Sequence, residues 1–152
     1  GGRFNQNDFH INGTNGRVGV GTNNPGYNLE VTGTAHVTGT FTAGTKSFLI
    51  NHPTKEDHML QYGSLEGPEY GVYVRGKTSS SQIELPEEWV GLVDKDSITV
   101  NLTPRGKHIP LFLDRVENNN IYVGGTENEV FYDYVVFGMR KDVDKLEVEF
   151  RG

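Results

Sequence analysis

Residues 27–43 read YNLEVTGTAHVTGTFTA, and this stretch decides the expected fold. Every odd position from Tyr27 to Ala43 is apolar or glycine, and every even position is polar. A period of two places the two sets on opposite faces of an extended chain. The four residues VTGT also occur twice within it, at 31–34 and 37–40. The pattern therefore predicts a strand with one apolar face and one threonine-bearing face.

A strand of this length does not fit inside a globular domain of this size. Residues 27–43 span roughly 55 Å at ~3.3 Å per residue, whereas a globule of 152 residues has a radius of gyration near ~15 Å. The chain therefore either bends at Gly33 and Gly39 into short hairpins or runs along a fibre. One strand with such small apolar residues cannot bury enough surface to offset its ordering entropy. We favour three or more copies that share one axis. The side chains expected to pack toward this axis are Leu29, Val31, Val37 and Phe41.

The composition changes near residue 45. Residues 1–45 hold ten of the 20 glycines but only four charged side chains, and residues 46–152 hold the other 30 charges. Residues 16–26 in the first part predict a short strand and then an Asn-Pro-Gly turn. We expect residues 1–45 to form a fibre shaft or collar segment and residues 46–152 to form a globular β-domain.

The second part contains short apolar runs separated by turn residues. Regular short strands of this kind are typical of a β-sandwich or a barrel. A single helix of about two turns is expected at 86–92, because Pro86 and two acidic residues suit a helix N-terminus. The candidate strands are 47–50, 59–65, 69–75, 82–85, 97–103, 111–116, 120–123, 129–140 and 145–150. The expected fold class is therefore all-β.

Composition excludes several classes of function. The chain has no cysteine, which removes disulfide frameworks and thiolate chemistry. Its formal net charge of -6 argues against nucleic acid as a partner, because a protein that binds nucleic acid needs a basic surface. It also lacks a run of about 18 apolar residues, so membrane insertion is not expected.

The sequence carries no pattern typical of catalysis. Gly16, Gly19 and Gly21 resemble a phosphate-binding loop, but the turn at 23–26 prevents the helix that such a loop needs. The five histidines form no metal-ligand spacing. The acidic pairs lie in expected turns or helix ends, whereas the remaining alternative, a polysaccharide-degrading enzyme, needs carboxylates that converge in a cleft. We expect no catalytic residues, no metal site and no cofactor.

Aromatic residues are dense for so polar a chain. Residues 131–134 place aromatic side chains on both faces of one strand, so one face is expected to meet a second sheet, a partner subunit or a ligand. Most of the others are expected in the core. The candidates for stacking on a sugar are Trp89, Tyr70, Tyr73, Tyr132 and Tyr134.

Two parts of the chain, residues 16–34 and the part from 46 to 142, resemble bacteriophage tail-fibre and related proteins. The run GRVGVGTNNPGYNLEVTGT at 16–34 is similar to a segment that joins shaft repeats in such fibres. Within the second part, the runs at 46–53, 83–86 and 136–142 are similar to a β-rich domain near the C-terminal parts of phage structural and tail-fibre proteins and of some bacterial surface proteins. The opening Gly1-Gly2 resembles a tag remnant, and the autocleavage segment of many such fibres is missing, which favours a fragment of a longer fibre.

The resemblance implies a homotrimeric virion component, located in the tail fibre, that serves host adsorption. Its partners would be two further copies of itself and the remainder of the fibre. The alternative is a receptor-binding tip that recognises a host surface polysaccharide directly through exposed aromatic residues.

Overall fold

The computed structural model describes residues 9–125, 130–149 and 151. Strands account for 41% of the structure and helices for 5%, so the all-β prediction is confirmed. The chain divides into two compact units between Gly44 and Thr45. Residues Gly1 and Gly2 lie outside the described residues.

The first unit contains a small three-stranded sheet. Its strands are β1 (Phe9–Ile11), β2 (Val18–Val20) and β3 (Leu29–Val31), with β2 in the centre. β1 and β2 are antiparallel, whereas β2 and β3 are parallel. Parallel neighbours usually need a crossover of a dozen or more residues, but here residues 21–28 make the connection. The prediction of a short strand followed by a turn at 16–26 is confirmed.

The second unit contains three antiparallel sheets. A hairpin joins β4 and β5, β6 and β8 flank a central β11, and β7 and β9 flank β10. The strand bounds are β4 (Ser47–Asn51), β5 (Met59–Gly63), β6 (Gly71–Thr78), β7 (Gln82–Glu84), β8 (Thr99–Pro104), β9 (Phe112–Glu117), β10 (Asn120–Gly124) and β11 (Tyr132–Met139).

One hydrophobic core is shared by both three-stranded sheets of the second unit. Val72 and Val136 enter it from the sheet of β11, and Ile121 and Val123 enter it from the sheet of β10. These residues alternate with less buried ones along each strand, and this period of two arises because one face of each strand is buried. The remaining buried apolar residues of the core are Leu60, Ile83, Leu85, Trp89, Leu92, Val93 and Tyr132.

Asparagine sets the tight turn between β9 and β10. Asn118 and Asn119 have φ angles of 51° and 59°. Two successive residues with positive φ form the type I′ turn, whose twist matches that of antiparallel strands. The Asn119 side chain also donates to the carbonyls of Leu85 and Pro86, both at 3.0 Å.

The helix is shorter than the sequence predicts. Helix α1 covers Trp89–Leu92, with a short 3₁₀ helix at Lys95–Ser97 after it. Pro86 begins a turn instead, since its carbonyl accepts from the Trp89 amide at 3.0 Å. Within the described parts of the chain, no helix is long and apolar enough to cross a membrane.

Two strand predictions are wrong in the described residues. The expected strand at 27–43 is limited to β3, and residues 32–46 contain no strand. Residues 145–149 also contain no strand, and the predicted ends Phe150 and Glu129 lie outside the described residues. Alternation alone does not create a strand, because every strand needs a neighbour to pair its backbone groups.

Candidate functional site

The sheet of the first unit has one face made of apolar side chains. Pairing aligns Phe9 with Val20 and Val20 with Val31, and it aligns Ile11 with Val18 and Val18 with Leu29. Directly paired residues point to the same side of a sheet. These six side chains, two from each of β1, β2 and β3, are called the apolar face below.

The apolar face is largely uncovered within one chain. Phe9, Ile11 and Leu29 are 56%, 60% and 62% exposed, and Val31 is 36% exposed. Among the described residues of the first unit, the buried ones are Gly19 and Pro25. The unit therefore has no hydrophobic core beneath its sheet in the described residues.

The structure brings together two of the four residues expected at the trimer axis. Leu29 and Val31 lie on the apolar face, whereas Val37 and Phe41 lie in the segment without a strand and are 52% and 69% exposed. The sequence analysis missed Phe9, Ile11, Val18 and Val20. The signal for them was the alternation in Phe9-His10-Ile11 and Val18-Gly19-Val20, which covers only three residues in each strand.

The glycines at 16–21 shape this sheet rather than a phosphate site. Gly16 and Gly21 have φ angles of 70° and 73°, a conformation that favours glycine. A Cβ at Gly19 would contact the carbonyl oxygen of Thr22, so the connection folds closely over this position. Arg17 Nη1 donates to the Pro25 carbonyl at 3.1 Å and holds the loop in place.

The expectation of exposed rings at Trp89 and Tyr132 is wrong. Trp89 is 2% exposed and Tyr132 is 0% exposed, because both pack in the shared core. The Tyr132 hydroxyl donates to the Ser80 carbonyl at 2.6 Å, which satisfies the buried polar group. Burial also raises the pKa of the Tyr132 hydroxyl. Neither ring is available for stacking on a ligand.

The other three aromatic candidates differ from one another. Tyr134 is half-buried and packs against the core from the inner face of β11. Tyr70 and Tyr73 are exposed, at 45% and 48%. Tyr73 has an aromatic neighbour in Phe137, with ring centroids 6.0 Å apart. Tyr70 directly precedes β6, three residues before Tyr73.

Tyr73 belongs to the outer face of the sheet formed by β6, β11 and β8. This face is called the outer face below. It points away from the shared core, because the other residues of each strand, which alternate with it, point into the core. Pairing arranges its side chains in three rows across the strands. The rows are Tyr73-Phe137-Thr99, Arg75-Val135-Asn101 and Lys77-Asp133-Thr103.

Basic residues dominate one end of the outer face. Arg75 and Lys77 are exposed, and among the described residues neither forms an ion pair. Asp133 Oδ2 lies 3.2 Å from Arg105 Nε, and its other oxygen is shielded from solvent without a hydrogen-bond donor in the described structure. A cleft of about 490 Å³ is lined by Arg75, Lys77 and Asp133 and by the paired residues of β6 and β11 beside them.

A polar chain of contacts ties the β4–β5 hairpin to the core. The Tyr62 hydroxyl donates to Glu88 Oε1 at 2.5 Å. Burial and the Glu88 hydrogen bond raise the pKa of Tyr62 to about 12. Arg140 lies over the Phe48 ring at 4.1 Å and donates to both carboxylate oxygens of Asp142, at 2.9 and 2.6 Å. This pairing lowers the pKa of Asp142.

Carboxylates and histidines do not converge on a common point in the described residues. Across them, no group of three or more His, Asp or Glu side chains is placed to hold a metal ion. His52 and His58 are neighbours, with ring centroids 6.5 Å apart, but their Nδ1 atoms bond to the backbone of their own loop. These histidines stabilise the turn between β4 and β5.

Comparison with known proteins gave no match. No family model, curated protein or solved structure was found to match this chain.

Proposed function

We propose that the chain is a non-enzymatic structural component of a bacteriophage tail fibre that forms a homotrimer and serves host adsorption. The observation that carries this proposal is the apolar face of the first unit. Its side chains Phe9, Ile11 and Leu29 are more than half exposed in one chain. Burial of apolar surface is worth roughly 25 cal/mol per Å², so this face favours association with further copies.

Three copies about one axis suit the sequence as well as the sheet. Leu29 and Val31 of the apolar face begin the alternating stretch that continues through Val37 and Phe41. Residues 32–43 form no strand in one chain. In a trimer, the neighbouring chains supply the partner strands with which these residues pair. In an assembly with closed cyclic symmetry, the apolar face of every copy is covered and none is left exposed.

The resemblance to tail-fibre proteins supports the same assembly from a different part of the chain. The glycines and the proline of the 16–34 run are used in the close connection between β2 and β3, at Gly19, Gly21 and Pro25. This connection leads directly into the alternating stretch, as expected of a segment between shaft repeats.

We further propose that residues 46–152 form a β-sandwich attached to this shaft. The support is the core that the sheets of β10 and β11 share. Such a domain would fold within each copy, because its buried residues all come from one chain.

The test is the mass in solution, measured by light scattering after size exclusion. One chain has a mass of 16.9 kDa, so a homotrimer has three times that mass, 50.7 kDa. Ile11→Asp, on the apolar face, should dissociate the trimer. The matched control is His10→Asp, since His10 precedes Ile11 and points to the opposite face. A monomeric wild type, or equal effects of the two variants, would contradict the proposal.

Direct recognition of a surface glycan is the second candidate function. It is favoured by the exposed ring of Tyr73 and its contact with Phe137. Trp89 fluorescence is a poor reporter of such binding because this side chain is 2% exposed.

A further inference from the structure

We propose that the outer face of the β6–β11–β8 sheet binds an acidic saccharide. In this site, Tyr73 and Phe137 contact the sugar ring, and Arg75 and Lys77 bind its negative charge. The inference rests on the second candidate function, glycan recognition, and assigns to it a surface and a class of ligand. It does not depend on the homotrimer, since every named residue belongs to one sheet of one chain.

The aromatic row provides an apolar surface that is open to solvent. Tyr73 is 48% exposed, and its ring centroid lies 6.0 Å from that of Phe137. Thr99 completes the row on the far side of Phe137 and is exposed. Aromatic rings with adjacent hydroxyl groups match a sugar, which has apolar C–H faces and a polar rim.

The next two rows provide the positive charge. Arg75 is two residues from Tyr73 along β6 and thus about 7 Å away on the same face. Lys77 follows at the same spacing, and Arg105 pairs with Asp133 beside it. Three cations and one carboxylate give a local charge of +2, in a chain whose formal net charge is -6. This local excess of positive charge favours an anionic ligand over a neutral one.

The same residues argue against a second copy of the chain as the occupant. The edges of the outer face are polar: Arg75 and Lys77 lie on β6, and Asn101 and Thr103 lie on β8. The cores of protein interfaces are depleted of charged residues. Burial of Arg75 and Lys77 under a second copy would remove two charges from water with no partner identified for them.

The test is a titration of the isotope-labelled chain with hexagalacturonate, followed by amide NMR shifts. Its methyl-esterified form is the matched probe, since it keeps the sugar and removes the charge. Polyacrylate keeps the charge and removes the sugar. We expect hexagalacturonate to shift amides of β6, β8 and β11 and to bind about tenfold or more tightly than either control probe.

Two variants locate the site, and one controls for charge. Arg75→Ala with Lys77→Ala, and separately Tyr73→Ala, should each weaken hexagalacturonate binding about tenfold or more. The control pair, Lys46→Ala with Arg115→Ala, removes the same charge from residues that are ion-paired elsewhere, and it should leave binding unchanged.

The outcomes separate failure of the site from failure of the function. Binding that persists in the Arg75 and Tyr73 variants would overturn the assignment to the outer face, while glycan recognition would stand. Equal binding of polyacrylate would show a charged surface without saccharide recognition and would overturn the inference. Binding of neither hexagalacturonate nor its ester would overturn the site and count against the second candidate function. Loss of the trimer in the Arg75 variant would identify the face as a subunit contact instead.

Discussion

At the scale of single residues, Gly138 determines how closely helix α1 approaches the central strand. It is buried on the inner face of β11, where a Cβ would lie 2.5 Å from Val93 Cγ1 and 3.4 Å from Trp89 Cζ3. We expect Gly138→Ala to lower the free energy of unfolding by about 1–3 kcal/mol, because the added methyl overpacks the core. Urea denaturation measures this change. The control is Gly67→Ala, where nothing lies within 4 Å of an added Cβ; an equal loss there would contradict the packing argument.

The Tyr62 hydroxyl makes stability depend on alkaline pH. Burial and the hydrogen bond to Glu88 raise its pKa from 10.0 to about 12 in the folded protein. The unfolded chain therefore loses this proton at lower pH than the folded chain does. The stabilisation is complete below pH 10 and is lost as the pH rises toward 12.

Tyr62→Phe removes this proton and tests its contribution. We expect the variant to lose less of its unfolding free energy than the wild type between about pH 10 and pH 12. Denaturant titrations at several alkaline pH values measure the difference. Tyr70→Phe, at an exposed tyrosine, is the control, and the same slope for Tyr62→Phe and wild type would contradict the assignment.

At the scale of elements, the sequence predicts a strand well where the fold supplies a partner strand along its length. The alternation of Ile98, Val100 and Leu102 predicts β8, and it holds because β11 pairs with that strand along its length. The same kind of alternation fails at 32–43 and at 145–149, which pair with no strand among the residues that the structure describes. A period-two pattern shows that an extended segment would have one apolar and one polar face. It does not specify the neighbouring strand whose pairing is needed to form a sheet.

The functional surfaces were harder to predict than the strands. An aromatic residue in a strand faces either the core or the solvent, and the two differ by one position in register. Tyr132 and Tyr73 both lie in predicted strands with apolar neighbours. The pairing of β11 with β6 places Tyr132 in the core and Tyr73 on the solvent-exposed outer face. The outer face brings together residues of three strands far apart in the chain, and only the pairing identifies it.

The Arg140–Asp142 pair anchors the end of β11 to the β4–β5 hairpin through Phe48. Hydrogen bonds from Arg140 lower the pKa of Asp142 below its ordinary value of 3.8. The pair therefore contributes stability above that pH, and the contribution is lost as the pH falls through the lower pKa of the folded state. We expect the unfolding free energy of Asp142→Asn to fall less between neutral and acidic pH than that of the wild type.

Acid titration by circular dichroism in a fixed concentration of urea measures this effect. Asp144→Asn is the control, because Asp144 is two residues away, exposed and not ion-paired within the described residues. If Asp144→Asn reduced the acid dependence as much as Asp142→Asn, the loss would reflect net charge rather than the pairing with Arg140.

At the scale of the whole molecule, a trimer would carry three times the charge of one chain, which is -18. Like charge of this size keeps fibres apart in solution while it opposes assembly at long range. Assembly must therefore come from short-range burial, and the apolar face of the first unit is the largest aligned set of exposed apolar side chains described above. The acidic surface also makes the basic end of the outer face the region to which an anionic ligand would be attracted.

Residues 32–43 provide the last test, because one chain and a trimer give opposite expectations for them. In one chain Val37 and Thr38 are both exposed, so an aspartate at either position should have little effect. In a trimer Val37 packs toward the axis and Thr38 faces outward. Val37→Asp should then reduce the mass in light scattering from 50.7 to 16.9 kDa, while Thr38→Asp leaves it unchanged.

Amide hydrogen exchange should change together with the mass. The backbone amides of 32–43 should be protected in the wild type and in Thr38→Asp but not in Val37→Asp, because only neighbouring chains provide their ladder hydrogen bonds. Trimers in which both variants assemble equally would show that the axis lies along the sheet of β1, β2 and β3 and does not continue through Val37.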